Sequence, residues 1–489
     1  MKILKSILYT SFVLILCADF NFTQDFKIAP NTPTQWRSNY FNVSIASDTG
    51  QGFLVSWINT YYLTNSRIRS HLYACRFSKS GEMLDSEALY VDTSGFWTYF
   101  CPSAVFAGGN WIIAFNQGVM FEYVGAVRLT PSGEVLDNPP VSICSSMGLA
   151  TLEYPFIETN GKEILCVVGA AGSGLYATII DSALNILVDQ FTIIECNDTT
   201  SQFPDISKPI ITTNGKNFFI ALRDGEYKFA RSFPHIKLII ISPEGEILSI
   251  QKVNVQDIWY KDEFGYPMIT TLNNITYVCY FYIYERLNIR ALFVRRYSSD
   301  GNPIDSGPIK IAESNDFYPV LHPSYSGGRG YLDLVAVDNY LYFFLPNVSS
   351  PGMSMFKFNS DLLTLSGPPT LMTSDCQFAY MTPEYQYSST FIRAAALGDN
   401  ILTAWIDKRE EDTTRVYGNM FNINTPVIKC GDVNCDGEVL VFDAALLLRF
   451  ILGLDQELIC SENGDVDMDG TFTAFDCANI ARYSIGLDP

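Results

Sequence analysis

Histidine is nearly missing from this chain: His71, His235 and His322 are the only three in 489 residues. That scarcity leaves little for His-activated nucleophiles or His-ligated metal centres. There is no CxxC pair, no GxSxG elbow, no HExxH pair and no phosphate-binding loop. Charged residues make up only 17%, and they are lopsided: 32 Lys and Arg against 52 Asp and Glu give a net charge of −20. A surface of that sign argues against nucleic acid as a partner. Beyond the N-terminal segment, no apolar run reaches the roughly 18 residues a membrane-spanning helix needs. What the chain does have is 48% hydrophobic and 14% aromatic residues, a composition that folds rather than staying disordered.

The first residues carry Lys2 and Lys5, then an apolar run from Ile7 to Leu16. A basic start before a short hydrophobic core is a secretory signal pattern, so 1–18 is expected to be a signal peptide and the protein secreted. Twelve cysteines are present. Four (Cys430, Cys435, Cys460 and Cys477) fall in the last sixty residues, where they allow three connectivities. Most of the others sit in apolar strand-like segments, as small buried hydrophobes do.

Residues 26–428 repeat themselves. The clearest mark is a hairpin: SKSGEMLD at 78–85, TPSGEVLD at 130–137, SPEGEILS at 242–249 and SSDGNPID at 298–305. Weaker copies are DSALNILV at 181–188 and NSDLLTLS at 359–366. Each unit reads as four short strands with period-2 alternation, bounded by turn residues. The third strand often ends in Arg plus a hydrophobe, as in Arg76-Phe77, Arg128-Leu129 and Arg296-Tyr297. Four strands per unit at a period of roughly 50–60 residues predict a mainly β fold, a β-propeller. Seven units are counted, although six or eight blades fit the irregular sixth unit. The seventh has only three strands, and FKIA at 26–29 resembles the fourth strand IKIA at 309–312. Pairing of the two ends is expected to close the ring and hide an open sheet edge.

The tail, 429–489, is different. Residues 431–443 read GDVNCDGEVLVFD and residues 464–476 read GDVDMDGTFTAFD, a copy 33 positions later. Oxygen donors stand at loop positions 1, 3, 5 and 12, with Gly at 6. That is the spacing with which alternate residues wrap a calcium ion and a last carboxylate closes the shell. The first loop offers Asp432, Asn434, Asp436 and Asp443, with the carbonyl of Glu438. The second offers Asp465, Asp467, Asp469 and Asp476, with the carbonyl of Thr471. Two calcium ions are expected. Strong helix formers follow the first loop over Ala444–Leu452 and weaker ones follow the second over Cys477–Ile485, each stopped by Gly.

This loop–helix duplication resembles the type I dockerin, a module that plugs secreted proteins into cohesin domains. The resemblance implies a cohesin partner on a scaffold or cell surface. It also implies that positions 10 and 11 of each loop and a residue of the following helix read that partner. Those residues are Val441, Phe442 and Arg449 in the first copy, and Ala474, Phe475 and Arg482 in the second. A Phe at position 11 in both copies departs from the small polar pair usual in the family.

The loops entering each blade carry aromatic and acidic residues, among them Trp97, Trp259 and Tyr260. Such rings suit the C–H faces of sugars. The propeller is therefore expected to bind glycan or protein, and the dockerin resemblance implies a setting in polysaccharide degradation. The alternative is a polysaccharide-degrading enzyme, a glycoside hydrolase or lyase, which needs two carboxylates about 5–10 Å apart that the sequence does not pair.

Overall fold

The computed structural model describes residues 25–29, 39–48, 50, 52–62, 68–92, 102–117, 123–145, 152–170, 174–195, 209–228, 231–254, 263–265, 267–284, 289–314, 333–346, 353–364, 366, 370–373, 392–407, 415–424, 431–434, 439–455, 457–459, 464, 466 and 471–484. The chain divides into two compact units, Met1–Phe421 and Asn422–Pro489. The expected signal peptide, 1–18, lies outside the described residues.

In the first unit the described strands form seven antiparallel sheets. Blade one runs Asn39–Ser47, Gly52–Tyr62, Ile68–Ser78 and Leu89–Asp92, and blade two runs Ser103–Ala107, Asn110–Gln117, Tyr123–Leu129 and Val141–Ser145. Blade three is Leu152–Thr159, Glu163–Ala170, Gly174–Asp181 and Ile186–Glu195; blade four is Ile210–Thr213, Phe218–Lys228, Arg231–Ile241 and Ile247–Lys252. Blade five is Met268–Leu272, Ile275–Tyr284, Ile289–Tyr297 and Ile309–Ser314, with Glu263–Phe264 added to its second strand. Blade six is Asp333–Val337, Tyr340–Pro346, Met353–Asn359 and Thr370–Thr373; blade seven is Ile392–Leu397, Asn400–Asp407 and Arg415–Asn422. The first strand of each blade lies against the first strand of the next, and Ile392–Leu397 lies against Asn39–Ser47. The ring is a closed seven-bladed propeller.

The expected closure is present. Phe26–Lys27 pairs with the third strand of blade seven, Phe26 opposite Gly418 and Lys27 opposite Tyr417. The Ile28 N–H adds a bond to the Val416 carbonyl at 2.9 Å. Ile28 and Ala29 are buried, and the Phe26 ring meets Phe77 of blade one at 5.6 Å. The first described residues therefore join the last blade to the first. Gly418 permits this close approach: a Cβ there would stand 3.1 Å from Ile28, Phe26 and the Thr403 carbonyl.

The recurring hairpin has a physical reason for each repeated position. Gly81, Gly133, Gly245 and Gly301 all have φ between 79° and 92°, a conformation open to glycine at little strain. The Ser or Thr that opens the hairpin accepts the N–H four residues on, as Ser78 Oγ does from Glu82 and Thr130 Oγ1 from Glu134. In blade three Asp181 does the same for Asn185, while Leu184 takes the left-handed position at φ 67°, its side chain buried.

Two further devices stitch the blades together. The first is a fork between the Arg that ends the third strand and the Asp that ends the hairpin, nine residues later. Arg76–Asp85, Arg128–Asp137 and Arg296–Asp305 pair at 2.6, 2.8 and 2.7 Å. In each pair the carboxylate also accepts the arginine's own backbone N–H. Nη1 of Arg76 and of Arg296 goes on to a carbonyl in the next blade's hairpin, Pro131 and Asp361 respectively. Hydrogen bonds from Arg128 hold the Asp137 carboxyl below the ordinary carboxylate range.

The second device lines the channel. The inner edge of a first strand presents N–H groups with no strand beside them, and in blades two, three and seven a side chain of the preceding blade takes one up. Ser44 Oγ accepts from Ala104, Ser103 Oγ from Ile157, and Asp333 Oδ2 from Ala394. Arg393 of blade seven stands 3.9 Å from Asp333, with its guanidinium 5.7 Å from the Phe156 ring centre, in blade three on the far side of the ring. Glu158, two residues beyond Phe156 on the same strand face, is pushed up to about 7 by burial, against an ordinary value of 4.5.

Two outcomes are expected. Arg296→Ala removes a fork with a nearly buried carboxylate and a bond to the next blade, so chemical denaturation should show a loss of ~2 kcal/mol; unchanged stability contradicts the stitching. For Glu158 the folded state holds its proton more tightly than the unfolded state does. Stability is therefore full below pH 4.5 and falls as pH rises through about 7. Glu158→Gln should stabilise the protein by ~1–3 kcal/mol at pH 8 and hardly at all at pH 4, as read from denaturation midpoints at the two pH values.

Candidate calcium and docking site

The second unit is built on two helices, α1 (Val441–Ile451) and α2 (Ala474–Ser484), packed on each other. Both begin three residues earlier than helix propensity alone suggests, and the last residue of each loop motif explains why. A helix start leaves N–H groups without partners, and a carboxylate there fills the gap. Asp443 is fully buried; its Oδ2 accepts the Leu440 N–H at 2.8 Å and its Oδ1 the Val433 N–H at 3.1 Å. Asp476 repeats this 33 residues on. Its Oδ2 accepts the Thr473 N–H and its Oδ1 the Val466 N–H, both at 2.8 Å. Thr473 Oγ1 adds a third bond at 3.0 Å. Positions 2, 9 and 12 of both loops are thus tied by the same clamp.

The small core obeys the same repeat. Ala444 and Leu447 on α1 match Cys477 and Ile480 on α2, all buried, with Val433 beneath and Val439, Val466 and Phe472 packed around them. Phe450 meets Phe472 edge-on at 5.9 Å. Cys477 is a buried free thiol, as are Cys75, Cys144, Cys166 and Cys279 in the blades. Cys430, Cys435 and Cys460 lie outside the described residues.

Among the expected metal ligands, Asp432, Asp443 and Asp476 are buried, Asn434 is half-buried and Thr471 is exposed. Asp436, Glu438, Asp465, Asp467 and Asp469 lie outside the described residues, and within those residues no three His, Cys, Asp or Glu side chains converge. The donor set nevertheless suits a hard cation. Asp443 is completely buried and, among the described residues, its partners are two backbone N–H groups and no Lys or Arg. A buried carboxylate held only by neutral donors is short of positive charge. A bound calcium ion would supply it and would neutralise Asp432 nearby in the same loop.

The expected docking residues are all on the outside. Val441, Phe442, Ala474, Phe475, Arg449 and Arg482 are exposed. Phe442 and Phe475 match closely, at 60% and 61% exposure. Arg449 makes a fork with Asp455 at 2.8 and 2.9 Å, which fixes its guanidinium beyond the end of α1. The propeller residues expected to meet ligand, Trp97, Trp259 and Tyr260, lie outside the described residues.

The architecture is thus a propeller followed by a duplicated, carboxylate-clamped helix pair. Residues 430–483 match the family model for the dockerin type I domain, and this segment is a type I dockerin. Domains of that type bind calcium. No curated protein matches the chain. Solved structures similar to it include an α-L-arabinanase from Penicillium chrysogenum complexed with arabinobiose, 11% identical over 82% of this chain and 99% of that one, TM-score 0.40. A subtype N10 neuraminidase-like protein from a little yellow-shouldered bat isolate is 12% identical over 82% and 98%, TM-score 0.37. An α-L-arabinofuranosidase from Clostridium thermocellum is 11% identical over 55% and 93%, TM-score 0.31. Among the described residues no helix is long and apolar enough to cross a membrane.

Asp443→Ala removes a fully buried acceptor from two N–H groups, so it should lower the stability of the helix pair by ~2 kcal/mol or more. Far-UV circular dichroism at saturating calcium should show the helix signal melting earlier while the propeller transition stays in place. An unshifted helix transition contradicts the role given to the clamp.

Proposed function

We propose that this is a secreted protein that docks through its calcium-loaded C-terminal module onto a cohesin-bearing scaffold or cell-surface partner. The observation that carries the reading is the clamp repeated at a 33-residue interval inside the segment that matches the dockerin type I family. Each copy holds one ion. Asp432, Asn434, Asp436, Asp443 and the Glu438 carbonyl ligate the first; Asp465, Asp467, Asp469, Asp476 and the Thr471 carbonyl ligate the second. Calcium fixes the loops, the clamps start the helices, and the helices present Val441, Phe442 and Arg449, with Ala474, Phe475 and Arg482, to the partner.

The propeller's part is to bind a glycan or protein ligand in polysaccharide degradation, with Trp97, Trp259 and Tyr260 as stacking surfaces. Binding is preferred to hydrolysis on one observation. The first-strand acids among the described residues, Glu153, Glu158 and Asp333, fall in blades three and six, and Asp333 is paired with Arg393.

Titrating the chelator-stripped full chain with calcium in a calorimeter should give two ions per chain. Cohesin binding should disappear when the ions are removed and return when they are restored. A chain that takes up no calcium, or that binds a cohesin equally well in chelator, contradicts the reading.

A further inference from the structure

Blades one, two, five and six return from the hairpin between their third and fourth strands in the same way. A backbone N–H of the hairpin donates to the carbonyl of a residue near the end of the third strand. The pairs are Leu84 to Arg76, Leu136 to Arg128, Ile304 to Arg296 and Ser366 to Lys357, at 2.7 to 2.9 Å. In the first three the next residue is the aspartate of the fork, Asp85, Asp137 and Asp305. In blade six it is Gly367, which lies outside the described residues and, as a glycine, carries no side chain. Blade six therefore keeps the cation of the fork, Lys357, and lacks its carboxylate.

The boundary with the next blade is bare in the same sense. In blade five Tyr277 stands opposite Arg296; its hydroxyl bonds Ser360 in the hairpin of blade six, where Arg296 also reaches the Asp361 carbonyl. In blade six Tyr342 stands opposite Lys357, and its ring meets Phe421 of blade seven at 6.4 Å. Blade seven takes its fourth strand, Phe26–Lys27, from the other end of the chain, so no hairpin between third and fourth strands completes the network there. Tyr342 is 1% exposed, and its hydroxyl has no hydrogen-bond partner. Burial raises its pKa, so it is a neutral phenol with a proton to donate. Lys357 is half-buried, its Nζ 3.9 Å from the centre of the Tyr340 ring and 5.7 Å from that of Tyr342. Among the described residues no carboxylate pairs with it, and burial holds the ammonium below the ordinary lysine range against the pull of Asp338. An aromatic face is a weaker counterpart for that cation than a carboxylate.

We propose that the gap in blade six binds an external carboxylate, that of a uronic acid residue on an otherwise neutral glycan, with Lys357 as its cation. The site rests on the glycan-binding part given to the propeller above and names the chemistry of one ligand group. The donors are those that the three aspartates satisfy elsewhere. In Arg76, Arg128 and Arg296 the side-chain cation and the backbone N–H of the same residue go to one carboxylate. An entering carboxylate would form the same charge-assisted bonds with Lys357. The Tyr342 hydroxyl, on the same face, is a second polar group left without an acceptor. The net charge of −20 repels a polyanion, so one carboxylate among neutral sugars fits where a run of uronates does not. An acidic protein segment would bring the same repulsion over a wider contact. A uronate carboxyl is also fixed to its pyranose ring, so little freedom is lost in placing it.

The test uses the full chain and matched sets of arabino-, xylo- and galacto-oligosaccharides, with affinity read by calorimetry. Each set holds the neutral chain, the chain with one glucuronate branch, and the methyl ester of that branch. In at least one set the glucuronate form should bind ~10-fold or more tighter than the neutral and esterified forms, and Lys357→Arg should keep that preference within ~3-fold. Lys357→Met should erase it. Gly367→Asp, which fills the gap from within, should erase it too and carries the same expectation if Lys357→Met does not fold; unfolding midpoints of each variant report that. Equal binding of acid and ester, or a preference that survives in folded Lys357→Met, overturns the site while leaving glycan binding intact. If the unmodified chain binds no member of any set, the glycan reading falls, and the site with it. A poly-aspartate peptide that binds as tightly as the best glucuronate form, and is lost in Lys357→Met, would make protein the occupant and overturn the assignment to a glycan.

Discussion

A carboxylate accepting backbone N–H groups where regular pairing stops is the interaction on which both units depend. Asp85, Asp137 and Asp305 accept the N–H of the arginine that ends a third strand. Asp333 accepts from the unpaired edge of an inner strand, and Asp443 and Asp476 accept from loop and helix start. Unmet N–H groups at such places are costly, and a charged acceptor makes a stronger bond than a neutral one. The charge then needs a counterpart. In the propeller the chain supplies it, as Arg76, Arg128, Arg296 and Arg393. For Asp443 no arginine or lysine does so among the described residues, and on the proposed reading a bound calcium ion would be the counterpart.

The consequence for function is a division of labour. The propeller closes on itself through Phe26–Lys27 and stitches neighbouring blades by forks and capped strand edges, so its stability draws on the whole ring. Among the described residues the tail buries a small core, Val433, Ala444, Leu447, Cys477 and Ile480, with partly buried side chains packed around it. On the proposed reading, bound calcium would supply what that core lacks and order the docking surface.

Much of this is legible in the sequence. The repeat predicts second strands near Phe53, Trp111, Ile164, Phe218, Tyr277, Tyr340 and Ile401, and each blade has its second strand starting within two residues of that position. Period-2 alternation and the repeated hairpin carry that reading, because both follow from local backbone geometry. Closure by 26–29 is legible from the likeness of FKIA to IKIA. Less accessible are features that need two distant side chains at once. Arg76, Arg128 and Arg296 stand out as strand ends, and the Asp nine residues on as a hairpin end, yet only the folded hairpin joins them. The constant spacing is the signal available. Arg393 reaching toward Phe156 across the channel leaves no trace in local pattern. Propensity places the helix starts late because it ignores the capping done by Asp443 and Asp476.

The most direct measurement of the central claim is amide hydrogen exchange on the full chain, with and without calcium, read at Val433, Leu440, Val466 and Thr473. Those four N–H groups donate to the two clamp carboxylates. Strong protection with calcium that collapses in chelator, while the inner strands of the propeller stay protected in both, is the expected result. Protection at the four sites that is the same with and without the ion would contradict it.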